Sequence, residues 1–163
     1  MALWRVVVAM RWLGSDGVLI DPQTGAYLYF SAVAEDDLIQ LLFGNSGNPI
    51  ASIELLGVAC AFTVWNDLLV DRTAITFVDN EATKCCLIKG YSPQTDMMSI
   101  CAVCTRAEIA QRSAQYYERV ASPSNLGDGP SRFRAPPLLP RWGGATRSFL
   151  DGHAALVNLG VMY

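Results

Sequence analysis

Apolar residues in this chain alternate with polar ones, cluster in short runs, or recur at helical spacing, and each pattern predicts an element. Arg5 to Met10, through Val6, Val7 and Val8, predicts a first strand. Gly17–Asp21 and Ala26–Phe30 predict two more, joined by Pro22-Gln23-Thr24-Gly25 as a tight antiparallel hairpin. Ala34–Phe43 fits a short helix, with Leu38, Leu41 and Leu42 on one side, and 44–48 reads as a loop. Pro49 then opens a longer helix to about Trp65 or Leu68, apolar nearly all round, which predicts a buried helix. After a turn over Asn66–Arg72, Ala74–Val78 is a run expected to be buried on both faces of a sheet, and it ends on Asp79.

Asn80 is placed to cap the next helix, Glu81 suits its positive first turn, and Lys89-Gly90 supplies a basic last turn and a stop. Ser92-Pro93 starts a further helix to about Gln111 or Ala114. Gln115–Val120 reads as a last strand, Ala121–Arg134 as a polar loop, and Ala135–Pro140 as a linker. The remainder, Arg141–Tyr163, has Gly143-Gly144 and one weakly helical patch. The expected organisation is one domain over 1–134 and a tail over 135–163. A hairpin followed by crossover units predicts an α/β fold with a mixed sheet covered by helices.

A chain of 163 residues with 52% hydrophobic content is enough for one packed core. No apolar run approaches the ~18 residues of a membrane span, and Arg5 and Arg11 interrupt the only apolar opening. The net charge of −3 conceals an asymmetry: residues 1–82 carry 3 basic and 10 acidic side chains, and residues 83–163 carry 9 and 5. Ordinary solvated surface explains this; an acidic metal-binding half beside a phosphate-touching half is the sharper reading. Five cysteines without a signal peptide argue against a disulfide framework and for an intracellular rather than secreted chain. Cys101 and Cys104 form a CxxC inside a helical pattern with no second pair, so core thiols are expected there.

Glu54 stands out because an ionised carboxylate in an apolar helix is costly unless it is paired or bound to metal. Asp79 stands out because ligands collect at the carboxyl ends of strands in open α/β sheets. Three stretches carry a resemblance: IASIELLGVACAFTVW with its inward Glu54, ITFVDNEATKCCLIKGYSP with Asp79-Asn80, and RVASPSNLGDGPSR with Asp128. Together they resemble the ribonuclease H-like domain attached to retroelement reverse transcriptases, over roughly Gly17–Arg132. The resemblance implies a ribonuclease H-like nuclease, a hydrolase cutting the RNA strand of RNA–DNA hybrids. It would hold two Mg²⁺ ions, or Mn²⁺ in their place, on Glu54, Asp79 and Asp128, which are thus both catalytic and metal-ligating. It further implies substrate contacts from Asn80, Lys84, Lys89, Asn125 and Arg132, and a reverse transcriptase domain as partner. The family's leading Asp belongs in the first strand, where this chain has Ala9, Met10 and Arg11. Asp16 and Asp21 follow, before the second strand and at the hairpin turn. The alternative is therefore a non-catalytic remnant that packs beside a polymerase or binds nucleic acid weakly.

Overall fold

The computed structural model describes residues 3–11, 14–25, 27–33, 40, 49–121 and 147–151. The expected helix over 34–43, the loops over 44–48 and 122–134 and most of the tail lie outside them. So do Asn125, Asp128 and Arg132.

Strands β1 (Trp4–Arg11), β2 (Gly14–Ile20) and β3 (Tyr27–Val33) form an antiparallel meander. The β2–β3 turn is built by Asp21. Its carboxylate accepts from the Gln23 N–H and the Thr24 hydroxyl, both at 2.8 Å, while Gly25 takes the left-handed φ of 70° that closes the turn. Strand β2 begins three residues earlier than the hydrophobic pattern implies, because its first half pairs with the far end of β1 (Ala9 with Asp16, Met10 with Ser15).

Helix α1 (Pro49–Val64) crosses this meander, followed by the single turn α2 (Asn66–Leu69). Strand β4 (Thr73–Val78) then enters parallel to β1. Helices α3 (Glu81–Lys89) and α4 (Thr95–Gln111) lead to β5 (Ala114–Arg119), parallel to β4. Inside the tail, Arg147–Asp151 forms β6, parallel to β3, a strand that the tail's weak pattern does not announce. The described sheet has six strands in the order β5-β4-β1-β2-β3-β6, the mixed α/β sheet expected.

One face carries the main core: Val6, Val8, Leu19, Phe30, Ala74 and Val78 pack with α1 and its neighbours. Leu55, Val58 and Phe62 of α1 are fully buried, each stabilising the fold by roughly 1.5–3 kcal/mol. Phe30 lies over Gly17 and meets Trp65 edge-on, with ring centroids 5.1 Å apart. Strand β4 departs from the sequence expectation: Ala74, Thr76 and Val78 are buried, but Thr73, Ile75 and Phe77 are only half-buried. The reason is that the described helices pack on the first three. The other face holds a smaller cluster around Val7, Val18 and Tyr27.

Buried polar bonds fix the helices to one another. Thr83 donates to the Ala51 carbonyl at 3.0 Å, joining α3 to α1, and the Gln111 amide donates to the Phe62 carbonyl at 2.7 Å, joining α4 to α1. The cysteines of the CxxC, with Cys60 and Cys86, are buried core thiols, as expected.

At Gly57 α1 passes close to the sheet. A Cβ there would collide with the Ser15 hydroxyl and stand 2.8 Å from Val8 Cγ1. Alanine in a helix interior gains about 1 kcal/mol over glycine, but overpacking costs about 1–3 kcal/mol. Gly57→Val, with worse propensity and a larger clash, is expected to lose about 2–3 kcal/mol in urea unfolding. Ser15→Ala in the same chain should recover part of that loss.

Candidate functional site

The carboxyl end of β4 is assembled from the sequence around it. Asn80 leaves the strand in an extended conformation and its side-chain oxygen accepts from the Ala82 N–H at 2.8 Å and the Thr83 N–H at 3.4 Å. That cap starts α3, Glu81 lies in the first turn, and Gly90 ends the helix at φ 62°.

Glu54 reaches this junction from the second turn of α1. Its side chain is fully buried. Oε1 accepts from the Asp79 N–H at 2.7 Å, and the Asn80 N–H lies 3.3 Å from Oε1 and 3.2 Å from Oε2. Its carboxyl also hydrogen-bonds the half-buried Asp79 side chain. Burial first, and this bond to Asp79 second, push the Glu54 carboxyl up to about 8, against the lowering effect of the Asp79 N–H. The expensive carboxylate singled out in the sequence is thus satisfied by backbone and by a neighbouring acid.

Asp16 sits inside β2 and is 1% exposed. Ser15 faces Gly57 of α1, so the pleat turns Asp16 to the opposite face of the sheet from Glu54. Its pairing partner on β1 is Ala9. Continuing the parallel register of Val7 with Phe77 by two residues sets Ala9 beside Asp79, and Asp16 one strand further, about 10 Å from the β4 axis. Asp21 is occupied in its turn on the hairpin.

The structure therefore brings Glu54 and Asp79 together and leaves Asp16 apart. Among the described residues no group of three or more His, Cys, Asp or Glu is arranged to hold a metal ion. A pair of Mg²⁺ ions needs several converging carboxylates. The described donors, two acids of which Glu54 already accepts two backbone N–H groups, do not fit such a pair.

The basic residues nearby divide. The Lys84 ammonium is held by Glu81 at 3.1 Å and Glu118 at 3.8 Å. Lys89 is exposed at the far end of α3, about 12 Å along the helix from Glu81. Asn80 spends its side-chain oxygen on the cap. Arg119, which the sequence pattern did not single out, ends β5 and donates from Nε to the Asp79 carbonyl at 3.0 Å. Parallel pairing of β4 and β5, Val78 with Arg119, is the signal that would have found it. A groove of about 930 Å³ runs along β4 and β5, lined by Ile75, Phe77, Leu87, Tyr116 and Glu118 among others, rather than over the Glu54–Asp79 pair.

No protein-family model matches the chain, and no curated protein matches its sequence. Solved structures do. The chain is similar to RNase H1 from the halophilic archaeon Halobacterium salinarum NRC-1, at TM-score 0.54 and 11% identity, over 77% of this chain and 89% of that one. It is equally similar to the N-terminal RNase H domain of a Mycobacterium tuberculosis protein, at TM-score 0.54 and 12% identity, over 77% and 86%. A third is the LC11 RNase H1 isolated from compost, at TM-score 0.50 and 10% identity, over 78% and 90%. The fold is ribonuclease H-like.

The raised Glu54 carboxyl has a measurable consequence. Its folded pKa lies above the ordinary carboxylate value, so between about pH 4.5 and 8 the folded state holds more protons than the unfolded one. Stability is then greatest at the acid end of this window and falls as pH rises through it. Urea unfolding in chelator-treated buffer is expected to show that decline in the native chain. Glu54→Gln, which keeps an acceptor and removes the titration, should make it shallower, and the remainder includes Glu108, whose carboxyl burial also raises.

Proposed function

We propose that this chain is a ribonuclease H-like domain of a retroelement polymerase that engages RNA–DNA hybrids at the carboxyl edge of its sheet and hydrolyses them poorly. The observation that carries the reading is the Glu54–Asp79 pair at the end of β4, in a ribonuclease H-like fold whose first strand has Ala9 beside it. Two carboxylates from a helix and a strand far apart in sequence support a shared active-site ancestry. The uncharged residue in β1 and the backbone bonds taken up by Glu54 support weak hydrolysis.

Glu54, Asp79 and, from sequence resemblance, Asp128 are the carboxylates assigned to the site. Asn80, Lys84, Lys89, Asn125 and Arg132 are its assigned substrate contacts. A hybrid offers an A-like minor groove lined by 2′-hydroxyls on one strand, and reading that shape is what selects RNA. Phosphate contacts supply most of the affinity and make it salt-dependent.

A second reading is a non-catalytic domain that packs beside a reverse transcriptase. It is favoured by the same Glu54 bonds, which make the acid a support for the β4–α3 turn.

The test is cleavage of a labelled RNA–DNA hybrid in Mg²⁺ and in Mn²⁺, with binding followed by fluorescence anisotropy. The native chain is expected to bind the hybrid and to cut it at or near background. Ala9→Asp or Met10→Asp should raise the rate by about tenfold or more, since each 1.36 kcal/mol of transition-state stabilisation is a factor of ten. Robust cleavage by the native chain, abolished by Asp79→Asn, would overturn the weak-hydrolysis reading, and absence of hybrid binding would overturn the substrate.

A further inference from the structure

The chain is acidic overall, and the carboxyl edge of its sheet carries Asp79, Glu81 and Glu118. Any nucleic acid approaching that edge needs a cation that is not already neutralised. Lys84, the obvious candidate by sequence, is shared between Glu81 and Glu118 and is largely buried against them. Arg112 is paired bidentately with Asp71, at the other end of β5. Arg119 differs from both. It is exposed, it is the last residue of β5, and among the described residues no carboxylate lies within ion-pair distance of its guanidinium, although its charge is close enough to help lower the Glu81 carboxyl.

Arg119 is also held in place. Its Nε–H donates to the main-chain carbonyl of Asp79, which ties the guanidinium to the residue that ends β4. A guanidinium has five N–H donors in a fixed plane, so one bond through Nε orients the group and leaves the terminal nitrogens available. Anchoring of this kind lowers the rotamer entropy lost when those donors bind a phosphate in a two-pronged contact. The group beside it, the capped start of α3, presents further positive potential at the same edge.

We propose that Arg119 is a phosphate-contacting residue of this domain, positioned by the Asp79 carbonyl to grip the backbone of a nucleic acid laid across the carboxyl ends of β4 and β5. The inference rests on the hybrid-binding reading above and names a contact within it. The contact is to phosphate, so it is independent of base sequence and serves hybrid and duplex DNA alike.

The experiment measures hybrid affinity by fluorescence anisotropy against salt for the native chain, Arg119→Gln, Arg119→Lys and, as control, Arg112→Gln, each checked by thermal melting. Arg119→Gln is expected to bind about tenfold more weakly near ~50 mM salt and to lower the slope of log K against log salt by about 1. Arg119→Lys should keep the native slope, because the charge remains, and Arg112→Gln should leave both quantities unchanged. A native chain that fails to bind any hybrid defeats the hybrid-binding reading itself. A native chain that binds, with Arg119→Gln binding as tightly and with the same slope, defeats the Arg119 contact alone. A variant that melts earlier with an unchanged slope makes Arg119 only a brace for the β4–α3 turn, and also defeats it. If Arg119→Gln loses both stability and slope, Arg119→Lys decides: a native slope supports the contact, and a slope still lower by about 1 overturns it.

Discussion

A buried acid on a hydrophobic helix holds the ends of two other elements in position. Glu54 takes hydrogen bonds from the backbone of Asp79 and Asn80 and hydrogen-bonds the Asp79 side chain. Without an acceptor at that point, the two N–H groups that leave β4 would be desolvated at a cost of about 1–3 kcal/mol each. With it, the strand end, the Asn80 cap and the first turn of α3 become one unit locked to α1. The Thr83 bond to the Ala51 carbonyl, one turn earlier on α1, closes the same unit from the other side.

This dependence explains why a carboxylate tolerates a place where nothing else is charged. Burial favours the protonated form of Glu54, and its hydrogen bond to the Asp79 side chain pushes the same way. The β1 residue in register with Asp79 is Ala9, and the nearest further acid on that row, Asp16, is buried one strand further from β4.

The parts of the fold that depend on neighbours in sequence could be read directly. The Asp21–Gly25 turn, the Asn80 cap and the Gly90 stop all have their partners within a few residues, and the structure builds them as the residue types imply. Glu54 was conspicuous because burying a charge is costly wherever the helix packs. What could not be read depends on pairing between distant segments. The half-exposure of Ile75 and Phe77 follows from which face the helices cover, and five apolar residues in a row do not encode that. Asp16 looked external because its strand begins earlier than its hydrophobic residues do. Arg119 gained meaning only when β5 lay parallel to β4.

Strand β6 adds a constraint of timing. It pairs parallel with β3, so Tyr29 waits for Arg147, and most of the chain must be made before that edge of the meander is covered. Until then β3 presents a row of unpaired backbone groups, the kind of edge that recruits strands from other molecules. Contacts between such distant segments also form slowly, because a long loop must close before they are gained. During synthesis the β3 edge is thus open to association with other copies of the chain, and the five residues of β6 are what cover it, moving the edge of the described sheet from a seven-residue strand to a shorter one.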